Sequence, residues 1–162
     1  MRDTTFWPNH RQEARLATSY KIAAEGTGRE AIPISELRYP LHDRARRPVP
    51  AGGLFSTAAD ISRFCRMVLR GGELDGRRYL SEAAVLEMSR RHTAPNEDGY
   101  GLGWKVGEDR LGHDGAYATD MNIDRRRDLV SIFLVQQAGY PDVGLKVMPA
   151  FRTAVNEQYG RE

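Results

Sequence analysis

Leu111-Gly112-His113-Asp114-Gly115-Ala116 lies between two other short stretches of strand character. Tyr100-Gly101-Leu102-Gly103-Trp104-Lys105-Val106 precedes it, and Met121-Asn122-Ile123 follows it. The connecting segments, Gly107-Glu108-Asp109 and Asp124-Arg125-Arg126-Arg127-Asp128, have the polar composition of hairpin turns. The pattern predicts antiparallel strands over 100–106, 111–116, 121–123 and 129–136. Within the last of these, Ile132-Phe133-Leu134-Val135 is apolar without alternation, which predicts a central strand buried on both faces. Residues 144–159 read as a helix, with Val147, Phe151, Ala154 and Val155 forming the face it lays on the sheet.

Upstream, the clearest helix follows Ser56. Thr57 and Asp60 have the spacing of a capping box, in which hydroxyl and carboxylate satisfy free N–H groups. Ile61, Phe64, Cys65, Val68 and Leu69 then fall on one stripe, and Gly71-Gly72 ends the helix. Asp75-Gly76 signals a tight turn. Ser81 is placed to cap a second helix, with Val85 and Met88 on one face. Residues 1–50 are the least regular. Gly26 to Gly28 reads as a turn, and Pro33, Pro40, Pro48 and Pro50 keep the chain extended or looped. The basic cluster Arg44, Arg46 and Arg47 reads as solvated loop, with contact to an acidic substrate or nucleic acid as the alternative. The fold class is α+β: an antiparallel sheet with a C-terminal helix packed on it and a helical insertion before it. A single domain divides into an irregular lead-in (1–50), a helical part (51–95) and the sheet with its helix (96–162).

Composition narrows the function. Hydrophobic residues make up 40% and charged residues 28% of the 162, a globular balance rather than a disordered one. A net charge of +2, from 24 basic and 22 acidic residues, is too even to argue for a nucleic-acid partner. One cysteine, Cys65, excludes an internal disulfide and a multi-cysteine zinc site, and its place on the apolar stripe predicts burial. No apolar run is long enough to span a bilayer, and there is no signal-peptide pattern. His10, His42 and His92 lie in polar surroundings without ligand-like spacing, so no metal ligand is assigned. Arg125 to Arg127, flanked by aspartates, reads as a solvated turn rather than a phosphate site. Gly101-x-Gly103 is not a nucleotide loop, because no helix start follows it.

Taken in order, several segments resemble the C-terminal half of a serine β-lactamase-like hydrolase of the class C type. That family includes penicillin-binding proteins, esterases and peptidases. Arg2-Asp3-Thr4-Thr5-Phe6-Trp7 resembles the family's Gly-Met-x-Asp-Thr-x-Phe segment. Arg15-Leu16-Ala17-Thr18-Ser19-Tyr20 resembles its arginine-leucine-alanine-x-x-tyrosine pattern. Pro50-Ala51-Gly52-Gly53-Leu54-Phe55-Ser56-Thr57 and the His113-Asp114-Gly115 strand motif follow in the family's order. The likeness extends over nearly the whole chain and implies a partial β-lactamase/transpeptidase-like fold.

The family's nucleophile sits in a Ser-x-x-Lys motif, and a Tyr-x-Asn motif follows it. No serine here has lysine three positions on, and no tyrosine has asparagine two positions on. Gly-x-Ser-x-Gly is absent too. The resemblance therefore implies one wall of an active site, with no catalytic nucleophile in this chain. In that wall His113 takes the Lys/His position of the strand motif, Gly115 lets substrate approach closely, and the Ala116 N–H forms half of an oxyanion hole. The implied substrate is a small acyl compound, an ester or amide. The implied partners are an N-terminal-half chain or a second copy, with no cofactor, no nucleic acid and no membrane span. Family members are often exported or periplasmic, and any export signal would lie before Met1.

Other readings remain open. His113 can be a strand histidine bonded to a neighbour. Trp104 and Tyr117 can flank the cleft or belong to sheet core and sheet edge. Asp114 and Asp120 lack the apolar setting that raises a carboxyl pKa for general-acid work. A non-catalytic binding or regulatory module that kept the sheet is the alternative function, and an arginine-driven nucleic-acid binder is a third.

Overall fold

The computed structural model describes residues 1–34, 37–139 and 147–160. In chain order its elements are α1 (His10–Glu13), β1 (Ser19–Ile22), β2 (Arg29–Ile32), α2 (Ala58–Leu69), β3 (Glu73–Leu74) and β4 (Arg77–Arg78). Then come α3 (Glu82–Ser89), β5 (Lys105–Val106), β6 (Arg110–Gly115), β7 (Thr119–Asp124), β8 (Leu129–Phe133) and α4 (Val147–Tyr159). The last four strands form one antiparallel sheet in the order β5-β6-β7-β8, and β1-β2 and β3-β4 are separate hairpins.

Register and the period of two divide the sheet's side chains between its faces. Val106, Leu111, Ile123 and Val130 sit opposite one another across the strands, so they share a face. That face takes α2: Cys65, Val68, Leu111, Ile123 and Trp104 are buried in one cluster, with Ile61, Phe64 and Leu69 against it. Burying a side chain the size of Leu111 or Ile123 contributes roughly 1.5–3 kcal/mol. Trp104 stacks on Phe64 with ring centroids 5.6 Å apart. The opposite face carries Asp120, Ser131 and Phe133, and α4 covers it, with Phe151 against Phe133 at 5.3 Å.

The α2 stripe and its stop are as the sequence predicts. Gly71 and Gly72 donate to the carbonyls of Val68 and Met67, closing the helix with a left-handed cap. Met67 is also buried, beyond the predicted stripe. The Thr57 hydroxyl accepts from the Asp60 N–H at 3.2 Å. The Asp60 carboxylate does not complete the capping box. It accepts instead from the Asp3 N–H at 2.8 Å and the Thr4 hydroxyl at 3.0 Å, so it ties the start of the chain to α2. Cys65 is fully buried, and burial pushes its thiol up to about 11, which keeps it unreactive.

Several further expectations are corrected. Residues 100–104 are not a strand: they form a tight reversal, closed by Gly101 N–H to the Trp104 carbonyl at 3.0 Å, and only Lys105–Val106 pairs with β6. The cause is Gly101, where a Cβ would lie 2.3 Å from the Met88 carbonyl oxygen, because the loop is docked on the end of α3. β8 is the edge of its sheet rather than a central strand, and all its residues are half-buried. Its unbroken apolar run reflects a helix on each face, not a strand on each side. In α4 the buried residue is Met148, with Phe151 and Val155 half-buried beside it. Val147 and Ala154 are exposed, and residues 144–146 lie outside the described residues. The lead-in is not irregular throughout, since it carries α1 and the β1–β2 hairpin. Tyr20 of β1 donates to the Gln136 carbonyl and accepts from the Ala138 N–H, which joins that hairpin to the chain beyond β8.

Arg46, expected in a solvated cluster, is buried. It donates to the carbonyls of Phe6 and Leu41, and its own carbonyl accepts from the Trp7 indole. Arg44 remains exposed over the Trp7 ring, and Arg47 is exposed.

Replacing Asp60 by Ala strips two donors of their acceptor. We expect Asp60→Ala to lower the unfolding free energy by about 1–3 kcal/mol in urea denaturation. An unchanged midpoint would mean that the 1–5 segment is not held by α2.

Candidate functional site

β5 pairs with β6 only at Leu111 and Gly112. From His113 onward that edge of β6 has no strand beside it among the described residues. His113 shares a face with Leu111, but it lies two residues further along, beyond the cover of α2, and is exposed. Its ring is held on both sides. Nδ1 lies 2.6 Å from the Asp114 carbonyl oxygen, and Nε2 lies 3.3 Å from the Tyr100 hydroxyl. A carbonyl only accepts, so Nδ1 carries a proton. Nε2 of the neutral ring then accepts from Tyr100, and in the protonated ring it donates. The Tyr100 ring stands edge-on to the imidazole at 5.8 Å. The 100–104 reversal therefore supplies a hydroxyl partner that the strand reading of those residues missed.

Gly115 ends β6. An added Cβ would meet the Thr119 hydroxyl at 2.4 Å, so a side chain here would displace the hydroxyl of its cross-strand neighbour. Ala116 is not a continuation of the strand. It opens the turn closed by the Ala118 N–H to the Gly115 carbonyl at 2.9 Å. Ala116 is exposed, and its N–H has no acceptor among the described residues. An exposed imidazole and an unengaged N–H thus stand three residues apart at one open strand end.

The other face is electrostatically closed. Asp114 and Asp120 are cross-strand neighbours, but each has its own cation. Lys105 bonds Asp114. The Arg152 guanidinium grips the buried Asp120 through Nε at 3.1 Å and Nη2 at 2.7 Å. The Lys105 hydrogen bond holds the Asp114 carboxyl below its usual range despite partial burial, and Asp114 in turn raises Lys105. Each carboxylate thus faces its own cation rather than the other carboxylate, unlike a catalytic dyad. An open groove of about 370 Å³ runs over this charged face, bordered by Lys105, Arg110, Asp114, Asp120 and Arg152. Trp104 is core, as its burial and its stack on Phe64 show. The Arg125–Arg127 turn is tied by Asp124, which accepts from the Arg127 N–H at 3.0 Å and from Arg110 Nε at 3.2 Å.

Away from this end, the fold gathers residues that were read as unrelated. His10, Glu13 and His42 present ligand-type atoms all within 4.8 Å of one another. His10 and Glu13 are three apart in sequence, a legible signal. His42 comes from a separate loop, and no spacing rule predicts its approach.

Comparison with known proteins gives a family. Residues 1–149 match the family model described as Beta-lactamase. The chain is 30% identical to Protein Rv1367c of Mycobacterium tuberculosis H37Rv over 93% of its length. That match covers 43% of the relative, so the chain spans less than half the length of the curated proteins it resembles. It superposes on EstCE1, described as a hydrolase with promiscuous acyltransferase activity, with a TM-score of 0.75 at 20% identity, covering 94% of this chain and 46% of that one. On the LovD6 mutant of simvastatin synthase from Aspergillus terreus the TM-score is 0.78 at 16% identity, covering 99% and 47%. At these identities the likeness is one of fold, and it is the β-lactamase-type fold. With the family model matched over nearly its whole length, the chain belongs to the beta-lactamase family.

Proposed function

We propose that this chain is the C-terminal, substrate-binding wall of a β-lactamase-like serine acyl hydrolase whose nucleophile lies outside it. The observation that carries the reading is the open end of β6, where His113 is exposed and the Ala116 N–H is unengaged. In the complete enzyme an activated serine oxygen attacks an ester or amide carbonyl. The Ala116 N–H donates to the oxyanion that forms, a contribution of roughly 3–4 kcal/mol where such donors have been measured. His113, its Nε2 paired with the Tyr100 hydroxyl, orients the substrate at this wall. The alcohol or amine leaves with a proton, and water then releases the acid from the serine. EstCE1, whose fold this chain shares in part, is described as a hydrolase with acyltransferase activity, which is chemistry of the same kind.

The partner in this reading is a nucleophile-bearing N-terminal half. The outer edge of β8 is paired by no strand among the described residues, and Leu134 just beyond it is exposed. An uncovered edge of this sort is a template for association.

Three outcomes follow. The purified chain is expected to show no turnover of nitrocefin or p-nitrophenyl esters above background. Stoichiometric labelling of one of its serines by a fluorophosphonate or penicillin probe would overturn the reading. Light scattering should find a dimer or larger species, or else a monomer that binds ANS. A compact monomer with a cooperative melt and no dye binding would show that the chain closes its own surface. In a complex with the matching N-terminal half, His113→Ala should lower kcat/KM on the order of a hundredfold or more, leaving the melt unchanged. Lost stability with intact kcat/KM would assign His113 a structural role instead.

A further inference from the structure

We propose that His10, Glu13 and His42 form a binding site for one borderline divalent transition ion, such as Zn²⁺, Ni²⁺ or Co²⁺. The site stands on how the carboxylate is held. A reciprocal cap fixes the single turn of α1: the Asn9 side chain accepts from the Gln12 N–H at 3.0 Å, and the Gln12 side chain accepts from the Asn9 N–H at 2.9 Å. That turn puts His10 and Glu13 on one face. The loop carrying His42 then reaches Glu13 twice. Its backbone N–H donates to Glu13 Oε1 at 3.0 Å, and its ring Nδ1 lies 2.9 Å from Oε2. With Oε1 anchored by main chain, Oε2 is turned toward both imidazoles, and His10 Nδ1 is 3.6 Å from it.

These spacings suit a metal. Bonds of about 2.0–2.2 Å in a tetrahedral site put neighbouring ligand atoms about 3.4 Å apart, between the two observed distances. The two ring centroids lie 4.3 Å apart with planes tilted by 59°, so the rings touch without stacking face to face, and the three ligand atoms all lie within 4.8 Å of one another. An ion held by two neutral rings and one carboxylate displaces any proton at the ligating nitrogens.

Two nitrogens and one oxygen select borderline transition ions over Ca²⁺ or Mg²⁺, which prefer all-oxygen sets. The set also leaves coordination positions open on the solvent side, where the His10 side chain is 82% exposed. A bound ion would clip α1 to the loop that also carries buried Arg46, joining two parts of the lead-in.

The test is calorimetric titration of the full chain with ZnCl₂ and NiCl₂ in a non-chelating buffer, with the visible spectrum of the Co²⁺-loaded chain as a second readout. We expect one ion per chain and a Co²⁺ ligand-field band. Affinity should fall at least about tenfold in each of His10→Ala, Glu13→Gln and His42→Ala. His10→Ala is decisive, because so exposed a side chain can be removed without unfolding the chain. His92→Ala is the control, since His92 sits beside Glu87 without a second histidine and should bind as wild type. Binding weaker than about 1 mM, retained affinity in His10→Ala, or equal loss in His92→Ala would overturn the site.

Discussion

The contact on which the rest depends is the cross-strand row of buried Leu111 and Ile123 with half-buried Val106 and Val130 beneath α2. Its registration is not free to slip. A shift of one residue would turn Leu111 and Ile123 to the charged face and bring Gly112, Asn122 and Asp124 under the helix. The same row sets the candidate site. Because strand side chains repeat every two residues, burial of Leu111 puts His113 on the same face about 7 Å further along. There α2 no longer covers the sheet, and β5 has already ended. The exposed imidazole is thus a consequence of where the core stops.

The opposite face obeys a different constraint. Asp114, Asp120 and Asp124 fall on it at alternate or cross-strand positions, and charge so concentrated must be matched. Lys105 meets Asp114, Arg152 from α4 meets Asp120, and Arg110 with Arg127 meets Asp124. α4 is therefore held by both Phe151 on Phe133 and Arg152 on the buried Asp120. Breaking the latter pair from one side would leave a charge buried without its partner, which is much costlier than losing an exposed ion pair. The face is polar because it binds its own helix.

The lead-in shows how unevenly sequence reports structure. The Gly26 to Gly28 turn was legible from glycine alone, and both glycines have positive φ. The strands on either side were not, since Ser19–Ile22 and Arg29–Ile32 carry no apolar alternation and, apart from buried Ser19, are exposed or half-buried. Asp60 has capping-box spacing, yet its carboxylate serves Asp3 and Thr4. A local motif specifies which partners are near, and the tertiary fold decides which one is used. Arg46 was assigned to solvent by composition. Its Nη2 bonds the carbonyls of Phe6 and Leu41, while Nε and Nη1 are buried without a partner among the described residues, an arrangement that a count of charges does not register.

Local rules were enough for what depends on neighbours in the chain. These include the α2 stripe with its glycine stop, the Asp75-Gly76 hairpin, the Ser81 cap and the antiparallel order of the last three strands. The motif around His113 also pointed to the right family. Tertiary structure alone decided what depends on approach in space. Docking of Gly101 on the end of α3 turned a reading of strand into a loop and brought Tyr100 to His113. The helices on both faces of an edge strand account for an apolar run that reads as a central one. The meeting of His42 with Glu13, 29 residues away, is the clearest case. Periodicity reports which face of an element is buried, but not which distant element comes to lie against it.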